Sequence, residues 1–177
     1  MTELVKTEHI SIIYFYERRA RRLLPVLLLV MLASMPFAWR YLLPDQLVGF
    51  SKSLAFSLVF ASNFYWDLSL QEYGAQSALL KPFLHTWSLA VEEQYYIVFP
   101  LLLYGIYKWA RKYLAGILLF IMMLSLLLAE WMTGEDASFS FYMMPTRVWE
   151  LLAGSLLALA ILNRESPVPE SLWSRPQ

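Results

Sequence analysis

RRLLPVLLLVMLASMPFAWR, residues 21–40, is the stretch whose reading decides the fold. From Leu23 to Trp39 it carries no charge, and Arg22 and Arg40 bracket it. A hydrocarbon core about 30 Å thick takes roughly 20 helical residues, a length reached once the snorkelling ends out to Leu43 are counted. The stretch reads as a transmembrane helix. Pro25 is expected in its first turn, where a missing N–H costs nothing, and Pro36 is placed to kink its far end. Pro44 and Asp45 then mark a turn.

Composition extends this reading to the whole chain. Of 177 residues, 59% are hydrophobic, 16% aromatic and 16% charged, with a mean hydropathy of +0.49. A soluble domain carries about 25% charged residues, so this apolar excess could not be hidden in one small core. Fourteen basic and fourteen acidic residues give zero formal charge, which removes the electrostatic footprint of nucleic-acid binding. No nucleic-acid partner is expected. With no cysteine there is neither a disulfide framework nor a thiolate metal site nor a cysteine nucleophile. The sequence has no Gly-rich phosphate loop, no HExxH and no GxSxG, and its two histidines lie far apart. No metal centre is expected.

Further apolar stretches follow: Leu47 to Trp66, weakened by Lys52 and several serines, then Val91 to Tyr107, Tyr113 to Ala129 and Val148 to Leu162. Trp39, Trp66, Trp109, Trp131 and Trp149 fall at their ends, where amphipathic rings settle at the headgroup level. Arg18, Arg19, Arg21 and Arg22 precede the first span and place the N-terminus inside, because Lys and Arg resist translocation. Lys108, Arg111, Lys112 and Arg164 also prefer the inside, and the acidic Thr133–Ser138 loop the outside. Parity then conflicts. If the first three stretches all cross, Lys108 to Lys112 ends outside, so one of them should not cross. The candidates are the polar second stretch, or a re-entrant half-span in Leu79 to Ala90, tolerated at membrane depth only when buried in protein or lining a wet cavity. The expected fold class is an all-α polytopic transmembrane helical bundle with about four to five membrane segments, one of them re-entrant. Residues 1–163 are expected as the membrane domain and residues 164–177 as a polar tail.

KPFLHTWSLAVEEQYYIVFP, Lys81 to Pro100, crowds His85, Trp87, Ser88, Glu92, Glu93 and Gln94 at the entry to an apolar helix. Ionisable residues there mark a functional site by default. On a helix Ser88 and Glu92, four apart, share a face, whereas Glu92 and Glu93 point about 100° apart. One is expected inward and the other at the interface.

This stretch resembles the LLHTWSLAVEEQFY signature of the acyltransferase-3 family, membrane O-acyltransferases that modify bacterial surface sugars. YFYERRARRLLP (Tyr14 to Pro25), LLPDQL (Leu42 to Leu47), SNFYW (Ser62 to Trp66) and FYMMPTRVWELLAG (Phe141 to Gly154) resemble further family blocks in the same order. The resemblance covers roughly residues 10 to 162. It departs at the family's arginine followed eleven residues later by a histidine: eleven residues before His85 stands Gly74, and His9 has no residue eleven before it. The chain is expected to be the middle of such an enzyme, either truncated, one piece of a split gene with a complementing upstream fragment, or given too late a start.

What the resemblance implies is transfer of an acyl group, commonly acetyl, from acetyl-CoA or another acyl-CoA to a sugar hydroxyl of a lipid-linked or cell-surface glycan such as lipopolysaccharide. The expected setting is the inner (cytoplasmic) membrane. A histidine base takes the hydroxyl proton, tuned by burial and a carboxylate. By resemblance Glu92 is the catalytic carboxylate, expected to be buried. His85, Trp87, Ser88 and Glu93 are the acceptor-binding set, and Arg18, Arg19, Arg21 and Arg22 hold the coenzyme A phosphates, which guanidinium groups recognise bidentately. No bound cofactor is expected beyond the acyl-CoA donor. Plainer readings stand beside these. The arginines also serve topology alone, Glu92 a helix dipole, His85 a structural hydrogen bond, Trp87 an interface anchor, and Arg147 with Glu150 a helical ion pair. A non-catalytic membrane scaffold or transport subunit is the alternative function.

Overall fold

The computed structural model describes residues 12–71 and 81–165. Among the described residues all regular structure is helical. Helices α1 (Ile12–Tyr41), α2 (Pro44–Leu58) and α3 (Ser62–Gln71) are followed by α4 (Thr86–Ala110), a 3-10 turn (Arg111–Tyr113), α5 (Leu114–Glu135), α6 (Ala137–Tyr142) and α7 (Met144–Glu165). They fall into two compact units, one within Ser11–Ala90 and the other after Ala90. The division cuts the expected membrane domain at the start of α4. Arg164 and Glu165 belong to α7, and the rest of the expected tail lies outside the described residues.

Among the described residues, three stretches are long and apolar enough to cross a membrane: Tyr14–Tyr41, the 50-residue Thr86–Glu135, and Ala137–Leu162. The second is folded back on itself. Tyr95 bonds Ser155 at 3.0 Å, while Ser125 bonds the Pro145 carbonyl at 2.6 Å and the Trp149 amide at 3.1 Å. A straight helix would hold Tyr95 and Ser125 about 45 Å apart, whereas Trp149 and Ser155 lie only about 9 Å apart along α7. The chain must therefore reverse at Arg111–Tyr113, and α4 and α5 are separate span-length helices of 25 and 22 residues.

The second apolar stretch does not make a span. It breaks at Phe60, whose φ of 53° ends α2, leaving helices of 15 and 10 residues. At about 1.5 Å per residue neither bridges a 30 Å core. Within the second unit, crossings by α4, α5 and α7 put Lys108–Lys112 and Arg164 at one end and the acidic Thr133–Ser138 segment at the other, the separation that the positive-inside rule asks for, and the stretch too short to cross is the polar second one. The chain is a multi-pass membrane protein. Of the Leu79–Ala90 half-span, residues 79 and 80 lie outside the described residues; the remainder is a turn running into the first residues of α4.

Three local expectations are corrected. Pro25 is not in a first turn, because α1 starts at Ile12 and holds both Pro25 and Pro36 in its interior. The Tyr14–Glu17 segment extends the helix upstream, so its start is not set by the hydrocarbon boundary. Trp66 is no boundary anchor: it is 2% exposed, while Trp39 and Trp109 are 80% and 81% exposed. The Thr133–Ser138 segment is largely helical, with α5 running to Glu135 and Asp136 capping α6 by accepting from the Phe139 amide at 3.0 Å. Arg147 and Glu150 do pair, at 3.3 Å, on a half-exposed surface where such a pair is worth about 0–1 kcal/mol.

Each unit has its own core. In the first, Leu27, Met31 and Ala38 of α1 meet Phe50 and Leu54 of α2 and Phe83. In the second, Tyr95, Phe99, Leu103 and Ile106 of α4 meet Leu114 and Leu118 of α5 and Leu152 and Leu159 of α7. Ser125 ties α5 to the first turns of α7, its hydroxyl accepting from the Trp149 amide and donating to the Pro145 carbonyl. Ser125→Ala withdraws both of these bonds in an apolar setting. A loss of roughly 1–3 kcal/mol is expected, read as a lower unfolding midpoint in detergent. An unchanged midpoint would mean that the Trp149 amide and the Pro145 carbonyl are satisfied within α7.

Candidate functional site

The motif that the sequence singled out begins at a strained turn. Phe83, at φ 63°, sits in the left-handed region, an outlier for a bulky residue that costs about 1–3 kcal/mol. Its surroundings hold it there. The ring is buried 5.7 Å from the Phe50 ring, and the carbonyl accepts from the Thr86 amide at 3.0 Å, the Thr86 hydroxyl at 2.7 Å and the Trp66 indole N–H at 3.3 Å. Thr86 Oγ1 also lies 2.7 Å from Ser57 Oγ. One buried knot thus joins α2, α3 and the first residue of α4, and it sets where the motif helix starts.

Around this knot the first unit buries polar groups. Ser53, Ser57, Ser62, Asn63, Asp67 and Thr86 are all buried. Asn63, Trp66 and Asp67 fall at i, i+3 and i+4 on α3, so one helix face is polar and inward. Lys81 spans the outer part, with its ammonium 3.3 Å from the Ser69 carbonyl and 5.6 Å from the centre of the Trp66 ring. Neither Asp67 nor the knot was singled out in the sequence, although SNFYW already stood among the family-like blocks. The missed signal was spacing: Ser53 and Ser57, like Asn63 and Asp67, lie four apart, which places polar residues on one stripe of each helix.

The two glutamates separate as their 100° offset requires, but in the opposite sense to the expectation for Glu92. Glu92 is exposed, and Glu93 is the buried carboxylate at 9% exposure. Thr86, Ala90 and Glu93 recur at i, i+4 and i+7, so Glu93 shares the face that the first turns of α4 bury. Farther along, Tyr95, Phe99, Leu103 and Ile106 bury a different face. A helix that changes its buried face along its length hides the glutamate that simple periodicity would have exposed.

The remaining candidates are placed as follows. His85 is exposed, with its ring stacked 6.0 Å from the Phe83 ring. Ser88 donates to the His85 carbonyl at 3.2 Å and is exposed, on the same face of α4 as Glu92. Trp87 is half-buried. His85, Trp87 and Ser88 lie in the first unit, and Glu92 and Glu93 in the second. Arg18, Arg21 and Arg22 are exposed on α1 within about 100° of one another around the helix, and Arg19 is half-buried. Arg21 is paired with Glu17 at 2.6 Å, and Arg18 lies 5.0 Å from the centre of the Tyr14 ring. Within the first unit the arrangement can present guanidinium groups to a phosphate at one end of α1, and hydroxyl and imidazole groups to a polar acceptor at the start of α4.

Comparison with known proteins gives one family and several relatives. The model of the acyltransferase domain family matches residues 4–175. A protein of Haemophilus influenzae with no described activity is 34% identical over 88% of this chain and 66% of its own length. A peptidoglycan O-acetyltransferase, OatA, of Listeria monocytogenes is 31% identical over 95% of the chain and 28% of its own length. An O-acetyltransferase OatA of Staphylococcus aureus is 27% identical over 89% of the chain and 26% of its own length. The chain thus spans a little under two thirds of the Haemophilus protein and about a quarter of the two O-acetyltransferases. No solved structure matches.

Proposed function

This chain belongs to the acyltransferase-3 family, and from that membership we propose that it serves an integral membrane O-acyltransferase that moves an acetyl group from acetyl-CoA to a sugar hydroxyl of a cell-surface glycan. The observation that carries the reading is that the family match runs over residues 4–175 and that two relatives matching most of the chain are O-acetyltransferases. The peptidoglycan named for the Listeria relative sets the acceptor class tested first.

In this reading the acceptor oxygen attacks the thioester carbonyl, its proton passes to a base, and the coenzyme A thiolate leaves with the electron pair of the broken C–S bond. Gly74, and not an arginine, stands eleven residues before His85, so the base role is not given to His85. Glu92, exposed at the motif helix, orients that base or the acceptor hydroxyl. His85 and Ser88, also exposed, and the half-buried Trp87 receive the sugar at the start of α4. The exposed face of Arg18, Arg21 and Arg22, with Arg19 beside it, takes the phosphates of the donor. The positive-inside rule puts that face in the cytoplasm, where acyl-CoA is found, and the bilayer is the inner membrane.

Deleting the coding region and measuring base-releasable acetate on purified envelope glycans tests the proposal. Acetate on one glycan is expected to fall to background and to return when the full coding region is restored. Unchanged acetate together with altered glycan or lipid-carrier transport would overturn it in favour of a scaffold or transport role.

A further inference from the structure

Helices α2 and α3 each bury a stripe of polar residues while exposing several large apolar ones. On α2, Ser53 and Ser57 are buried together with Phe50 and Leu54, while Val48, Phe56 and Leu58 are exposed; on α3, Ser62, Asn63 and Asp67 are buried while Phe64 and Leu68 are exposed. A helix packed on a water-facing surface does the reverse, because burying hydroxyl, amide and carboxylate groups costs free energy that leaving Phe, Val and Leu in water does not recover. Polar inside and apolar outside is the pattern of a helix whose solvent is hydrocarbon.

The outward face of α2 is also graded along its length. Its first nine residues carry the exposed Asp45, Ser51 and Lys52, and charge then stops: Ala55, Phe56, Leu58 and Val59 follow, all exposed. Seven residues separate Lys52 from Val59, about 10 Å along a helix, within reach of a lysine that snorkels to the headgroups. Because only two residues join Tyr41 to Pro44, α2 starts at the membrane face where α1 ends.

The tip is built for a place without water. Its backbone donors turn inward: the Phe60 amide bonds the Ser57 carbonyl at 3.2 Å and the Ala61 amide bonds the Phe56 carbonyl at 2.8 Å. These are the paired 5→2 and 6→1 bonds of a Schellman closure, in which the left-handed residue is ordinarily glycine. Here it is Phe60, at φ 53°, packed at the edge of the apolar cluster of α1 and α2. A side chain that raises the conformational cost of the turn is useful where the turn must be apolar. Phe56 and Tyr65 stack at 5.2 Å, and the Tyr65 hydroxyl donates to the Gly49 carbonyl at 3.2 Å, so the arms are clasped across the turn.

We propose that α2 and α3 form a re-entrant helical hairpin whose tip, residues 58–61, dips into the hydrocarbon from the membrane face at which α1 ends, with lipid acyl chains covering Phe56, Leu58, Val59, Phe64 and Leu68. The hairpin thereby carries Ser57, Asn63, Trp66 and Asp67 below the headgroups, so that the start of the motif helix is tied to polar groups at membrane depth. This inference rests on the membrane topology and not on acyl transfer.

The chain has no cysteine, so single cysteines can be introduced without removing any. Asp45→Cys, Val59→Cys and Leu68→Cys, each at an exposed position, are spin-labelled in the purified chain reconstituted into vesicles of phosphatidylethanolamine and phosphatidylglycerol. Collision with oxygen, which concentrates in hydrocarbon, is compared with collision with a water-soluble nickel chelate. The oxygen-to-nickel ratio is expected to be several-fold higher at Val59 than at Asp45, with Leu68 between them. Nickel access at Val59 would place the tip in water, and low access to both reagents would mean that protein covers it. A depth for Leu68 beyond that of Val59 would mean a full crossing. Each of these three outcomes overturns the proposal. Should Val59→Cys fail to fold, Leu58→Cys reports the same depth from the same tip.

Discussion

Membranes carrying Glu92→Gln in the complete protein are expected to hold normal amounts of it and to transfer acyl groups at least about tenfold more slowly, the lower edge of what a positioned proton-relay group contributes. The two halves of this expectation have separate physical sources. Glu92 is exposed, so exchanging its carboxylate for an amide changes stability by no more than about 0.5 kcal/mol. Any loss of transfer is then a loss of chemistry. Glu93→Gln is the contrast: that carboxylate is buried, and removing its charge acts on the amount of folded protein. Transfer rates per molecule, with protein measured by immunoblot of the same membranes, check both. Full activity of Glu92→Gln at normal levels would remove Glu92 from the reaction and leave the carboxylate role to a residue on another face of α4.

Trp66→Ala is expected to destabilise the first unit by about 3–5 kcal/mol, whereas Trp39→Ala and Trp109→Ala change stability by about 0.5 kcal/mol or less. The reason is burial and wiring. The Trp66 ring is enclosed, its indole N–H supports the Phe83 carbonyl, and the Lys81 ammonium lies over its face. Removing it opens a cavity and withdraws a donor from the strained turn that starts the motif helix. Trp39 and Trp109 are largely exposed and act only as anchors at the interface. Unfolding midpoints of the three variants in one detergent decide the matter. Equal, small shifts would show that Trp66 is an anchor after all and that the knot around Phe83 carries little energy.

Much of the fold was legible because hydropathy and charge act over long stretches. Leu23 to Trp39 is apolar enough to be a span whatever packs against it, and the Arg18–Arg22 and Lys108–Lys112 clusters constrain the number of crossings by charge alone. The family-like blocks around His85 and Phe141 were readable for the same reason, being strings of residue types and not of contacts. The Arg147–Glu150 pair followed from three-residue spacing on a helix and formed as spacing predicts.

Contacts between residues far apart in sequence decided the rest. Whether Leu47 to Trp66 crosses depended on Phe60 adopting a positive φ, which local propensity disfavours and only the surrounding hydrogen bonds and apolar packing sustain. The burial of Trp66 depended on a carbonyl seventeen residues away. Glu93 became the buried carboxylate, and not Glu92, because α4 presents one face at its start and another along its length, a rotation set by neighbouring side chains and invisible to periodicity. The sequence by itself determined a multi-pass helical membrane protein and the family-like motif at the entry to α4, because solvent partition sums over many residues and tolerates local error. Only the tertiary structure decided which polar side chains turn inward, because that choice rests on a few specific partners whose loss no neighbouring residue can average away.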